Sequence, residues 1–508
     1  MKPSARPAKP RRSAPGRKTG AGGLPPRAAS PAPLWAAVAR ADITDYQAGP
    51  VNDPLQVKAL VLKSEALTAV LVTVDAVALA EIGRIPNDYL ANVRAALQQD
   101  LGLEPSHVLI NASHCHGVVC AEVEQRTIQA VKEAWQHLEP VRVGVGVGHE
   151  DRIMENRRLQ LRSGKEADVR HAYALPPDAE VVGVGPVDPQ IGVLRLDRQD
   201  GRTLALVYTF ACHPIQGVPN GSNTADLVGF ASKVIEDNLG PGTTALFLQG
   251  CAGDINPLLY KDVDHPRDAE PLGNLLGLST LQAARQIRCQ EGGALALLHE
   301  ILEVPRADLA PAIAALQAQQ AQLLQSLRGT TLNLKTFLAL TAKYSLARDF
   351  PSYYSHRYLH DQRLGREDLP RLDAGNRRNL EQYVANIHTM EQLTRVQANL
   401  DLLRMHQAQN LAAGKKTLAT EVVGLRVGGF VLVTFPGELS VQIGLDLKQA
   451  SPHRCTFVAG ITNGYIYYAP TAEQLQNRGG AQEDSDCLLA PEWQRLFEES
   501  ALGLLRRL

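Results

Sequence analysis

Between residues 309 and 413 the chain stops alternating. Gln, Leu, Ala and Arg take over, in segments such as APAIAALQAQQAQLLQSL and NLEQYVANIHTMEQLTRVQANLDLLRMHQAQ. Such a stretch predicts two or three long helices, packed antiparallel. Strand-like runs stand on both sides of it: QVKALVLKSEALTAVLVTVDAVAL upstream, TEVVGLRVGGFVLVTFPGE and CTFVAGITNGYIYYAPT downstream. A helical block with strands before and after it reads as an insertion, with the N- and C-terminal parts sharing one sheet. The expectation is an α/β fold: one large mixed-sheet domain over residues 34–508, interrupted by a helical insertion at about 309–413.

The pattern before the insertion supports a partly parallel sheet. IPNDYLANVRAALQQDLGL carries Leu90, Val93, Leu97 and Leu101 on one helical face. It lies between the run ending at Leu79 and the apolar run HVLINA. Strand, helix, strand in that order predicts a βαβ unit. The longest apolar run, LTAVLVTVDAVALA, is shorter than a bilayer span and holds Asp75 in its middle, so no transmembrane segment is expected. A net charge of -1 over 508 residues gives no footprint for nucleic acid. The seven cysteines are odd in number and form no C-x-x-C, which argues against a disulfide framework or a zinc knuckle and for reduced thiols in a cytoplasmic setting. Residues 1–33 hold no Asp or Glu and are rich in Pro and Arg. They are expected to be a disordered basic tail, without the apolar core of a secretory signal.

Candidate chemistry gathers where strands end. In HVLINASHCHG a continued strand would put Val108, Ile110, Ala112, His114 and His116 on one face, two imidazoles side by side. Such a pair suits one metal, or a hydrogen-bonded couple without metal. His213 follows an apolar run in YTFACHPIQG, Glu438 follows another in VTFPGELSVQIG, and TNGYIYYAPT offers Tyr465, Tyr467 and Tyr468. Sites of open α/β sheets form at strand ends, and nitrogen and oxygen donors of this kind suit zinc. Cys115, Cys212 and Cys251 adjoin these motifs and read as small buried thiols without a role.

Taken together, ARADIT, NASHCHG, MENRRLQL, FACHPIQG, NTADLVGFAS, LFLQGCAGDINP, FPGELSVQIG and TNGYIYYAPTAE, in that order, resemble the catalytic domain of the neutral/alkaline non-lysosomal ceramidase family. The resemblance runs from about Ala39 to Leu508. It implies a zinc site of His114, His213, Glu438 and Tyr468, the last five residues after Asn463. It places His116 beside the metal, Arg157 against a developing oxyanion, and Asp226 in the site or at a helix N-terminus. Three departures accompany it. Asn256 stands where the family has its serine, in GDINPL. The second site tyrosine is missing, its region reading NRGGAQED. The immunoglobulin-like C-terminal domain is absent from the sequence.

The function implied is zinc-dependent hydrolysis of an amide bond by activated water, on a small N-acyl substrate that need not be ceramide, with His116, Arg157 and Asn256 assisting. The alternatives are a non-catalytic ligand-binding relative and a zinc esterase or deacetylase. The helical insertion is expected to border the site, or else to serve oligomer packing. Nothing in the pattern specifies an oligomeric state.

Overall fold

A computed structural model describes residues 33–169, 175–217, 222–258, 260, 262, 264–265, 267–351 and 355–508. The basic tail, residues 1–33, lies outside them except for its last residue. The first strand of the described residues is Leu34–Asp42.

The main sheet runs Thr244–Gln249, Thr203–Phe210, Gln190–Arg198, Glu139–His149, Leu34–Asp42, Gln56–Lys63, Thr68–Val74 and Val108–Ala112, with the short strand Gln290–Glu291 added beside Glu139–His149. It is mixed. Thr68–Val74 pairs parallel with Val108–Ala112 across the helix Tyr89–Leu101, as the βαβ pattern predicts. Thr203–Phe210 pairs parallel with Thr244–Gln249, and the remaining neighbours are antiparallel.

Alternation along each strand divides the core. Leu60, Leu62, Leu71, Leu194 and Leu196 point one way and pack against Val423, Leu425, Leu432 and Phe457. Those four belong to a second sheet of Leu295–Pro305, Thr417–Val427, Phe430–Thr434 and Thr456–Ala459. The N- and C-terminal parts therefore form two sheets packed face to face, not the single shared sheet read from the sequence. Both sheets contain strands buried along their whole length, and pairing register cannot be read from a run buried on both faces.

The opposite face of the main sheet carries helices. Val57, Ala59, Val61, Val70 and Val72 meet the helices Tyr89–Leu101 and Val123–Gln136 through Tyr89, Val93, Leu97, Ala130 and Ala134. Ile191, Val193, Leu206 and Phe247 meet Asp226–Leu239 and Glu270–Gln286 through Leu227, Ala231, Leu276 and Leu281. The run VRVGVGVGHE explains how close the last helix comes. A Cβ at Gly144 or Gly146 would sit 2.3 or 2.7 Å from Ile287 side-chain carbons.

The insertion sits between the paired strands Leu295–Pro305 and Thr417–Val427. It holds Ala310–Ser326, Leu334–Leu346, His356–Arg363 and Asp368–Ala412. Among the described residues there are four helices, more than expected, and the last runs 45 residues, roughly 68 Å at 1.5 Å per residue. Its C-terminal half packs on Ala310–Ser326 through Leu316, Val396, Leu400 and Leu403. No helix among the described residues is long and apolar enough to cross a membrane.

Candidate metal centre

His114 and His213 stand just beyond strands, and Glu438 and Tyr468 open a short pair of their own. Val108–Ala112 ends two residues before His114, whose backbone is left-handed (φ 71). The pleat therefore does not reach His116, contrary to the expected alternation. A kink sets the two imidazoles edge-on, 5.6 Å between ring centroids. His114 is buried and His116 exposed. The kink costs about 1–2 kcal/mol for a residue with a Cβ. It is held by the His114 amide donating to Ala76 O at 2.9 Å and by Nδ1 on Val77 O at 2.6 Å. Among the described residues six non-glycines have positive φ, and three of them, Glu81, His114 and Tyr467, line one cavity. Backbone strain concentrates where the candidate chemistry is.

His213 follows Thr203–Phe210. Its amide and its Nδ1 both meet Ile255 O, at 3.2 and 2.9 Å. Glu438 forms a two-residue parallel ladder with Tyr468, residue opposite residue. Its Oε1 accepts from Tyr465 Oη at 2.6 Å, while Oε2 lies 2.9 Å from His213 Nε2 and 3.3 Å from His114 Nε2. Ligand atoms of His114, His213 and Glu438 all lie within 4.8 Å of one another, and all three residues are buried. This group could hold a metal ion.

The hydrogen bonds say how. A neutral imidazole whose Nδ1 meets a carbonyl carries its one proton there, so its Nε2 presents a lone pair. Two such lone pairs face one carboxylate oxygen. Burial first, and then the charge of Arg157, push the His213 imidazole down to about 3, so it is neutral at ordinary pH. Burial alone would raise the Glu438 carboxyl, but the charge and hydrogen bonds that His114, and then His213, offer it once their Nε2 atoms carry a proton hold it well below the usual carboxylate range. Neutral imidazoles and an ionised carboxylate, donors converging, are the state a divalent cation needs. The carbonyls on Nδ1 fix ring orientation, as outer partners of metal-bound histidines do.

The other candidates surround this group. Tyr468 stacks near-parallel to His213 with centroids 6.5 Å apart, and its Oη is 3.3 Å from Arg157 Nη2. Arg157 is buried and heavily engaged. Nη1 donates to Asn256 Oδ1 at 3.1 Å, Nη2 to Gly253 O, and Nε faces Glu483 Oε1 at 2.6 Å. Asn256 does not line the cavity; it holds Arg157 from behind. The cavity, about 410 Å³, takes in His114, His116, Arg157, His213, Glu438 and Tyr468, with Tyr465 and Tyr467 beside them. Burial raises the thiols of Cys115 and Cys212 well above their ordinary value, so both are inert neutral groups.

Neither a scan against protein-family models nor a comparison with curated protein sequences gave a match. Solved structures do match. Neutral ceramidase from Pseudomonas aeruginosa superposes with a TM-score of 0.57 and 18% identity, over 94% of this chain and 75% of that one. A ceramidase complexed with C2 gives 0.59 and 19%, over 94% and 76%. The fold is that of neutral ceramidase.

On this ceramidase fold several residues matter that the sequence reading passed over. Asn111, inside NASHCHG, pins three strand ends: its Nδ2 donates to Gly460 O and Thr462 Oγ1, and its Oδ1 accepts from Gln249 N. An amide side chain just before a polar strand end was the available signal. Glu483 and Asp484 lie in the region noted for its missing tyrosine and supply the counter-charges of Arg157 and Arg158. Leu402 and Met405, from the long inserted helix, line the cavity, so the insertion borders the candidate site.

Asp226 is neither in the cavity nor a simple cap. It is the first residue of Asp226–Leu239 and accepts from the amides of Leu227, Gln216 and Gly217, fastening the segment after His213. Burial raises its carboxyl to about 7, against those three amides. Between the unfolded value near 4 and about 7 the native state binds the extra proton, so stability falls as pH rises through that window. Asp226→Asn keeps an acceptor and removes the titration. Relative to this variant, wild type should lose on the order of 2–4 kcal/mol between about pH 4 and pH 8. Urea unfolding at both ends checks it; an unchanged difference refutes it.

Proposed function

We propose that this protein is a zinc-dependent hydrolase of amide C–N bonds, acting on an N-acyl compound other than ceramide. The observation that carries the reading is the convergence of His114, His213 and Glu438 at the floor of a cavity on a ceramidase fold. His114, His213 and Glu438 would hold the zinc, with Tyr468 completing the set. A divalent cation in such a site polarises a carbonyl and lowers the pKa of water to about 7.

The chain's own residues supply the rest. His116, exposed within the cavity, moves a proton toward the leaving amine. Arg157 spends its N–H groups on Asn256, Gly253 and Tyr468, so its contribution to a developing oxyanion comes through its buried charge and through Tyr468. Asn256 is a positioning residue for Arg157. It carries no nucleophile, which leaves activated water as the attacking group. The missing serine and second tyrosine are the grounds for a substrate other than ceramide. Reduced thiols at every described cysteine are consistent with a cytoplasmic setting.

Metal analysis of wild type and His213→Ala, with turnover of N-acyl amines, N-acyl amino acids and simple esters, tests the reading. The expected result is about one zinc per chain in wild type, little in the variant, and amide hydrolysis lost to chelator and restored by zinc. Equal metal in both proteins overturns the site. Metal without turnover of any substrate favours a ligand-binding relative, and turnover of esters alone an esterase.

A further inference from the structure

We propose that the last turns of the inserted helix Asp368–Ala412 set the acyl length, and that the site takes N-acyl groups of short to medium chain. The proposal rests on the metal-site reading above and names the substrate class of that same cavity. Leu402, Met405, His406 and Gln409 fall at i, i+3, i+4 and i+7, which is one face of a helix. Two of them line the candidate site, and the other two hold residues that line it. Leu402 and Met405 form its wall. His406, fully buried, places Nε2 2.7 Å from Asp486 Oδ1 and sets its ring edge-on to Tyr467 at 4.6 Å. Gln409 Nε2 donates to Tyr467 Oη at 3.0 Å.

The wall is therefore fastened to Tyr467, which precedes Tyr468, and to Asp486. Swinging it aside would break hydrogen bonds at a buried imidazole, which is costly. Behind it stand the packed Leu400 and Leu403. The space left between this wall and the three candidate ligands is about 410 Å³, at the small end of ligand cavities, which run from about 300 to 1,000 Å³. Its apolar surface comes from Leu402, Met405, Val77, Ile82 and Ile215. An acyl group of a few carbons fits against those five residues. A long one must pass the wall of Leu402 and Met405 or leave the cavity.

Alkyl hydroxamates test this without turnover, because the head group seeks the metal and the tail probes the wall. Binding would be measured by calorimetry on zinc-loaded wild type, Leu402→Ala, Met405→Ala and His213→Ala, with tails from two to about sixteen carbons. In wild type, affinity should rise by up to about fourfold per methylene for the first few carbons and then stop rising. In Leu402→Ala and Met405→Ala the break should move to longer tails, which gain about tenfold over wild type. An unbroken rise in wild type, or a break that neither variant moves, overturns the wall while leaving the metal site standing. Binding as tight to His213→Ala as to wild type overturns both.

Discussion

Glu438→Gln is expected to abolish metal binding while leaving the apoprotein as stable as wild type, or more so. In wild type two imidazole lone pairs and one carboxylate oxygen face each other at 2.9 and 3.3 Å. Their Nδ1 protons are already committed to Ile255 O and Val77 O. Without a cation between them, these acceptors repel. A glutamine has the same shape, keeps an oxygen for Tyr465, and presents an N–H that can donate to His213. It removes both the charge that attracts a cation and the repulsion that needs one.

The two effects separate in measurement. Loss of one of the four proposed protein ligands should weaken zinc by about 10³-fold, read by competition with a chelator. Unfolding of chelator-treated protein in urea should show a gain of about 1 kcal/mol from the new hydrogen bond. Metal should then stabilise wild type against heat and not the variant, since only a ligand that binds the native state raises its stability. Undiminished zinc in Glu438→Gln removes Glu438 from the site. A large loss of apoprotein stability means that the carboxylate is structural.

How much of this could be read from residues alone follows from what alternates and what does not. The helices between Leu295–Pro305 and Thr417–Val427 were legible because the strand pattern gives way there to a Gln, Leu and Ala helix pattern. The βαβ unit was legible because Val93 and Leu97 mark a helical face between two apolar runs. The split into two sheets was not. Leu60 faces the second sheet and Ala59 faces a helix, yet both are apolar, so the run carries no record of which layer each side meets. His114, His213 and Glu438 were legible as residues at strand ends, and they converge as a set. Their geometry was not, because it depends on the left-handed backbone at His114 and on carbonyls from Val77 and Ile255, which no side-chain pattern encodes. Asn256 read as a site residue from its place in GDINPL; its side chain instead braces Arg157. The residues missed altogether, Leu402, Met405, His406 and Gln409, look in sequence like any face of a long helix, and only the fold shows which face meets the cavity.

The second large effect lies beneath the site, where two adjacent arginines meet two adjacent acids. Arg157 faces Glu483, and Arg158 grips Asp484 with two bonds, 2.8 Å from Nη1 and 3.0 Å from Nη2. Arg158 and Asp484 are both buried, with Glu166 on the remaining Nε at 2.7 Å. Removing one partner of such a pair leaves a charge with neither water nor counter-ion. Asp484→Ala should therefore cost about 3–5 kcal/mol of stability, measured by urea unfolding. Replacing both, Arg158→Met with Asp484→Leu, removes the stranded charge, and its cost should be much smaller, or a gain of about 1–4 kcal/mol. The cycle also reports on the site, because Arg157 precedes Arg158 and Glu483 precedes Asp484. If the lower pair only supports the fold, the double variant regains stability and keeps its metal. If it also aims Arg157 toward Tyr468, the double variant regains stability but turns over substrate more slowly than wild type with zinc affinity unchanged. A single variant as stable as wild type would mean that water reaches Arg158, and the buried-pair account of this segment would be wrong.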